Sequence, residues 1–256
     1  MARSDSIPTL TLITICRNAE RTIEQTITSV LHQKQDGVEY IIVDGASRDA
    51  TMEIITRYES MIDTVISEPD AGIADAFNKG LALANGEIIG LINADDQLAP
   101  GTVEFVRSFF HSRSDVEVLH GDVLLYDGDR FIKRLRPSGC WWHPLRLVLF
   151  NHPATFVRKH VYERLGGFCD RYRIAMDVEM FLRWQSAGMT IHYVPHPLAI
   201  MQIGGISSAE AVAGYRECRQ ALIEHGFPAS VAHVQYWSKR LVNAAVSICR
   251  RFLPRI

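Results

Sequence analysis

Short β-branched runs alternate with helix-spaced apolar residues through the first hundred positions. Leu10–Ile15 is a compact apolar run and predicts a buried strand. Ile23, Ile27, Val30 and Leu31 then recur at helical spacing, with Asn18 as the expected N-cap. Glu39–Val43 predicts a second strand, and Ile54, Ile55 and Tyr58 mark one face of the helix after it, capped by Ser47 and Asp49. Thr64–Ser67 is a weaker third strand. Ile73–Ala84 is a helix with Phe77, Leu81 and Ala84 in register, stopped by Asn85-Gly86, and Glu87–Ile92 is a fourth strand. Strands alternating with helices predict an α/β fold with a mainly parallel, doubly wound sheet.

The rhythm changes near Val116. Val116–His120 and Val123–Tyr126 predict strands, and Asp127-Gly128 a hairpin turn into Arg130–Leu135. The aromatic stretch Cys140-Trp-Trp-His-Pro144 has no period. Short helices follow at Val161–Leu165 and Val178–Ser186, then a strand at Thr190–Val194. From Ala209 the chain is helical in two pieces, broken at Gly226-Phe-Pro228.

Composition narrows the class. The 256 residues are 47% hydrophobic and 22% charged, with a net charge of −2, which is ordinary globular composition and gives no case for nucleic-acid binding. The five cysteines are scattered, with no C-x-x-C pair, which speaks for free thiols and against a zinc knuckle. No apolar h-region opens the chain and no apolar run approaches the ~20 residues of a membrane span. The expected place is the cytoplasm, with attachment to a membrane surface left open.

In open α/β sheets ligands bind beyond the carboxyl ends of the strands. Three such ends are polar here: Thr14-Ile-Cys-Arg-Asn18, Asp44-Gly-Ala-Ser-Arg-Asp49 and Asn93-Ala-Asp-Asp96. Asp95 and Asp96 side by side repel unless a cation or donors lie between them, and Mg²⁺ or Mn²⁺ would suit their oxygens. Taken alone, the pair is better explained as a turn that caps the helix after Pro100. The first loop has neither a G-x-G-x-x-G nor a P-loop pattern, which argues against a dinucleotide site.

Taken in order, Thr11–Gln33, Ile42–Thr51, Asp70–Gly80, Asn85–Asp96, His152–Val157, Gly166–Phe168 and Ala175–Arg183 resemble the family 2 glycosyltransferases, most of all the branch that builds bacterial exopolysaccharide such as colanic acid. The resemblance covers about residues 8–208. It implies a glycosyltransferase A-type fold: a Rossmann-like sheet flanked by helices, with a nucleotide-binding half at about 8–115 and an acceptor half at about 116–208. The catalytic domain would then be 1–208, and 209–256 a C-terminal helical extension.

The resemblance also implies a nucleotide-sugar donor, favoured as a UDP-sugar, a divalent metal (Mn²⁺ or Mg²⁺), and inversion at the anomeric carbon. The acceptor would be a surface-polysaccharide or polyprenyl-linked saccharide. By position, Asp44 would contact the base, and Thr14 and Cys16 would line the nucleotide. Asp95 and Asp96 would serve the metal and diphosphate, and Asp177 would be the general base. Asp75 and Lys79, at i, i+4 on one helix, would lie beside the donor. His152, Glu179 and Ser207 would lie by the cleft. Many relatives carry a second aspartate after the position of Asp44, an aspartate at Asn93, and a glutamate at Met176; this chain has none of the three. His192 and His196 flank Pro195 and are read as non-ligands.

Residues 235–256 contain Lys239, Arg240, Arg250, Arg251 and Arg255 and no acid, with Trp237, Leu241 and Val242 on an apolar side. Such a helix suits either packing on the domain or an anionic inner-membrane surface. A sugar nucleotidyltransferase and a non-catalytic nucleotide-sugar binder are the competing readings. The first lacks its glycine-rich signature after Ile15, and the second would be expected to lose Asp44, Asp95, Asp96 and Asp177.

Overall fold

A computed structural model of the chain describes residues 9–137, 150–204 and 210–252, the last eight by backbone alone. The stretch around Trp141-Trp142, Ser207 and the chain end lie outside the described residues.

The first half alternates as its pattern predicts: β1 (Leu10–Cys16), α1 (Ile23–Leu31), β2 (Val38–Asp44), α2 (Thr51–Thr56), β3 (Thr64–Ser67), α3 (Ile73–Leu83) and β4 (Ile88–Asn93). Short β5 (Asp96–Leu98) and α4 (Thr102–Ser112) complete it. The second half contains β6 (Val118–Asp127), β7 (Arg130–Leu135), β8 (Thr155–Arg158), α5 (Lys159–Leu165), α6 (Met176–Ser186), β9 (Ile191–Gln202), α7 (Ala211–Glu224) and α8 (Ala229–Phe252).

All nine described strands form one sheet, ordered β3-β2-β1-β4-β8-β6-β9-β5, with β7 on β6. Strands β3, β2, β1 and β4 are parallel, so their carboxyl ends share one edge. Strand β8 runs against both β4 and β6, which makes β6 parallel to β4 and carries the same edge into the second half. Two apolar clusters cover the faces of the sheet. Leu12, Tyr40, Ile42, Ile27 and Phe110 belong to one. Ile13, Ile41, Phe77, Met180 and Trp184 belong to the other. The alternation of Leu12 and Ile13 between them is the period-two side-chain pattern of a strand buried on both faces.

The structure corrects several local expectations. Asn18 does not cap α1, whose N-cap is Thr22; Asn18 adopts φ +51 and its side-chain oxygen accepts the Arg48 N–H at 2.9 Å, tying the first loop to the second. Neither Ser47 nor Asp49 is the N-cap of α2, which is Ala50; Ser47 bonds to Asp44 instead, and Asp49 accepts the Thr51 N–H at 3.1 Å from just before the helix. The two strands expected between Val116 and Tyr126 are one strand, because a register shift at His120–Val123 absorbs the polar His-Gly-Asp break. The last strand runs on to Gln202, beyond Pro195 and Pro197, whose missing donors coincide with that same shift against β6. His192 and His196 stack on Phe109 and Phe105.

The C-terminal helices pack on α6 and on each other. Ala221 and Leu222 of α7 and Ala232 of α8 join the second apolar cluster. The opposite side of α8 presents Val234, Trp237, Leu241 and Val242 to solvent.

Gly80 explains how close α3 comes to the sheet. A methyl there would lie 2.4 Å from Ile13 Cγ2 and 3.5 Å from Val43 Cγ2. Glycine in mid-helix forfeits about 1 kcal/mol against alanine, so close packing is what keeps it. We expect Gly80→Ala to destabilise the fold by about 1–3 kcal/mol in urea unfolding, overpacking outweighing the propensity gain; a neutral or stabilising effect would show that α3 can withdraw freely.

Candidate active site

The carboxyl edge carries Cys16, Asp44, Asp95 and Asp96. Asp44 ends β2, beside Cys16 at the end of β1. Its carboxylate is fully buried and surrounded by donors: the Ser47 N–H at 3.0 Å and the Ser47 hydroxyl, the Ser67 hydroxyl at 2.6 Å, and the Cys16 thiol at 3.6 Å. Burial first, and then Asp44, hold the Cys16 thiol far above its ordinary range, so it stays neutral and donates. Thr14 lies two residues inside β1, fully buried, and its hydroxyl accepts from Tyr40 at 3.1 Å. Its side chain supports the strand from within the core.

The end of β4 differs. Asp95 is exposed in the turn, while Asp96 is 2% exposed, opening β5. One Asp96 oxygen accepts the Asn93 amide at 2.9 Å. Burial, and then the neighbouring Asp95 charge, push the Asp96 carboxyl up to about 8, with the Asn93 bond opposing weakly. Asn93, itself uncharged, donates to Asp96 and favours its ionised form. Two carboxyl groups with so little cationic company fit a hard divalent ion; with only two protein ligands, such an ion keeps water and phosphate oxygens in its shell. Among the described residues no group of three or more His, Cys, Asp or Glu could hold a metal.

The start of α3 is self-contained. Lys79 reaches Glu68 at 2.9 Å, the Pro69 carbonyl at 2.7 Å and Asp75 at 3.4 Å, and Asp75 also accepts the Ala71 N–H at 3.0 Å. This network shapes the loop from β3, and two acids already neutralise the Lys79 charge. Neighbouring Arg17 is 62% exposed and 3.9 Å from Asp70, the more available cation at this end. Nothing in the sequence pattern distinguished it.

Asp177 lies in the first turn of α6, and Ala175, not Asp177, is its N-cap. One Asp177 oxygen accepts the adjacent Val178 N–H at 2.7 Å. Burial raises its carboxyl from 3.8 to about 6, with backbone N–H bonds pulling the other way. The helix is clamped at both flanks. Glu217 of α7 accepts the Ile174 and Ala175 N–H groups at 2.7 and 2.8 Å, a charge-assisted pair at a helix start. Arg183 donates to Gly167 O at 2.7 Å and Gly166 O at 3.1 Å, while Asn78 of α3 clasps Phe168 at 2.8 and 2.9 Å. Glu179 is consumed structurally, paired with Arg183 at 3.0 Å and meeting His225 at 3.3 Å. His152 packs edge-on against Phe77 and Phe168, its Nε2 without a partner, and burial lowers its ring to about 4. It is a neutral ring here. Glu217 was invisible from the sequence, being 42 and 43 positions from the backbone groups it holds.

Comparison with known proteins places this edge. Residues 11–182 match glycosyl transferase family 2, and the chain belongs to that family. A glycosyltransferase of Mycobacterium tuberculosis is 30% identical over 185 residues, 70% of this chain and 69% of its own. A PGL/p-HBAD biosynthesis glycosyltransferase of Mycobacterium bovis is 23% identical over 249 residues, 93% and 94% of the two chains. The O-antigen biosynthesis protein RfbC of Myxococcus xanthus is 27% identical over 84% of this chain, which spans only 17% of RfbC. Among solved structures, the mannosyltransferase PcManGT of Pyrobaculum calidifontis, in complex with GDP-Man and Mn²⁺, superposes with a TM-score of 0.69 at 20% identity, covering 96% of this chain and 76% of that one. TarS of S. aureus with UDP-GlcNAc superposes at 0.67 and 15% identity, covering 88% and 69%. The fold is therefore the glycosyltransferase A type expected from the sequence.

The raised Asp177 carboxyl has a stability consequence. Its bound proton favours the folded state, a contribution complete below about pH 4 and lost as pH rises through about 6. Above that, folding must bury an ionised group. Asp177→Asn should therefore melt roughly 2–4 °C above the parent at pH 8, the difference closing toward pH 4. Identical melting at pH 8 would show that Asp177 ionises without cost.

Proposed function

We propose that this chain is an inverting, metal-dependent hexosyltransferase that moves a sugar from a nucleotide-sugar donor, a UDP-sugar favoured, to a hydroxyl of a surface-polysaccharide or lipid-linked saccharide. The observation that carries the reading is the pairing of buried Asp96 with Asp95 at one end of the edge and clamped Asp177 at the start of α6. Residues 1–208 serve as the catalytic domain and 209–256 as the extension that braces it. The complexes of PcManGT with GDP-Man and Mn²⁺, and of TarS with UDP-GlcNAc, support a nucleotide-sugar donor and a divalent ion. The names of RfbC and of the PGL/p-HBAD enzyme support a polysaccharide or glycolipid product. An exopolysaccharide branch is the finer assignment.

Asp95 and Asp96 would hold the cation, which offsets charge gathering on the departing diphosphate. Cys16, Asp44, Asp75 and Lys79 shape the donor pocket. Asp44 reaches a base only when an exposed neighbour such as Ser67 gives up its bond to the carboxylate. Asp177 accepts the proton of the attacking acceptor hydroxyl. Its carboxyl near 6 is ionised at neutral pH yet basic enough to take that proton, as a general base requires. His152 and Glu179 buttress the cleft, and Ser207 is the remaining cleft residue that the sequence suggests.

Thermal-shift titration with nucleotide sugars, with and without Mn²⁺, is the test, because a ligand that binds only the folded state raises the melting point. A UDP-sugar should stabilise the protein with Mn²⁺ present, and both excess chelator and Asp96→Ala should abolish the shift. Full affinity under chelation would overturn the metal assignment. Asp177→Asn should lower turnover by about 10²-fold or more with donor affinity nearly unchanged; near-normal turnover would remove Asp177 as the base.

The exposed Trp237, Leu241 and Val242 of α8, with Lys239 and Arg240 beside them, support work at the cytoplasmic face of an anionic membrane. Among the described residues no helix is long and apolar enough to cross one. Co-sedimentation with anionic vesicles should be salt-sensitive and lost on removing residues 235–256, with circular dichroism confirming the fold. Intact protein left in the supernatant at low salt would contradict the reading.

A further inference from the structure

A second charged cluster stands on the same edge, unused by the chemistry above. Gly90 of β4 and Leu119 of β6 both face Phe156 of β8. Three residues further along these parallel strands lie Asn93 and Asp122. Two strand spacings separate them, roughly 10 Å. Asp122 is thus level with the end of β4, in the acceptor half.

Asp122 is fully buried, yet it is already satisfied. Arg134 ion-pairs with one carboxylate oxygen and also donates to the Pro195 carbonyl, and the Tyr193 hydroxyl donates to the other oxygen at 2.7 Å. One guanidinium balances one carboxylate. Arg136 is nevertheless there too, its Nε 3.9 Å from Asp122 and its side chain 68% exposed. A second cation beside a neutralised pair gains little from Asp122 and is repelled by Arg134, so the cluster carries one positive charge in excess, presented to solvent. Arg134 is held by Asp122 and the Pro195 carbonyl and adds its charge, and the exposed Arg136 guanidinium offers the fork that suits an oxyanion taken in bidentate fashion.

Ring contacts join this cluster to the base. Tyr193 packs on His120 at 5.4 Å, and His120 meets Phe181 of α6 at 6.2 Å. Phe181 is one helical turn from Asp177 on the same face. His120 is itself buried, and its Nδ1 has no hydrogen-bond partner.

We propose that Arg134 and Arg136, organised by Asp122 and Tyr193, form an oxyanion subsite for the acceptor. The group it takes is either the phosphate of a lipid-phosphate-linked saccharide or the carboxylate of an acidic sugar. The proposal rests on the glycosyltransferase reading and deepens it by naming a charge on the acceptor. Arg134 and Arg136 are positioning residues: they fix where the acceptor hydroxyl meets Asp177 and take no proton themselves.

The test is calorimetric titration of the full chain, in excess chelator, with octyl phosphate and with methyl β-glucuronide, against octyl glucoside and methyl glucoside as neutral controls. One anionic probe should bind saturably and its control should not. The affinity should fall at least tenfold in Arg136→Gln and less in Arg136→Lys, which keeps charge without the fork. Preference for octyl phosphate marks a lipid-phosphate source, and preference for the glucuronide an acidic sugar. Saturable binding of neither probe, or equal binding by Arg136→Gln, overturns the subsite. Failure of the donor reading shows separately, as absent binding of Mn²⁺ and UDP by the parent chain.

Discussion

A carboxyl group buried at a strand end, with another carboxylate next to it, is the constraint around which this molecule is arranged. Asp96 is nearly inaccessible, and burial together with Asp95 drives its carboxyl up to about 8. Nothing in packing calls for that. A leucine at this position would add to the core instead of opposing it. The cost is met either by a proton kept on the carboxyl or by a positive charge brought to the site, and the parallel strands β1 and β2 bring Cys16 and Asp44 to the same edge. The contrast with Asp44 is instructive. It is at least as deeply buried, but hydroxyls, a thiol and a backbone N–H surround it. One carboxylate is satisfied by the protein and the other is left wanting.

The second constraint is the placement of Asp177 on a short helix far from β4 in sequence. The protein meets it with backbone clamps. Glu217 holds the two N–H groups that lead into α6, Arg183 holds the carbonyls of the Gly166-Gly167 turn, and Asn78 ties Phe168 to α3. Hydrogen bonds to charged groups are about twice as strong as neutral ones, which suits a joint that must not drift. The extension beyond the matched family region thus contributes directly to the geometry around Asp177.

Much of this was legible in the sequence, for physical reasons. A strand buried on both faces has to be a continuous β-branched run, as Leu10–Ile15 and Glu39–Val43 are, and the helices between must repeat at helical spacing. Motif order then located Asp44, Asp95, Asp96 and Asp177 at strand and helix ends. What escaped was whatever depends on partners distant in sequence. The i, i+4 spacing of Asp75 and Lys79 allows their ion pair, but not the stronger hold of Glu68 on Lys79; Glu179, a spare acid in the sequence, is spent on Arg183 and His225. Asn18 reads as a cap yet bridges two loops. Asp122 and Arg134 are twelve residues apart across a hairpin whose register shift no periodicity predicts.

The central claim is that one edge assembles a cation-binding carboxylate pair and a base within reach of the same substrate. Paramagnetic broadening of backbone amide resonances by Mn²⁺, in the presence of UDP, measures it directly. The account predicts loss of the Asp95 and Asp96 signals, strong broadening at Asp177 and Val178, and little change at Lys34 and Asp63 on the far side of the sheet's strand ends. Sharp signals at Asp95 and Asp96, or broadening there with none at Asp177, would contradict it.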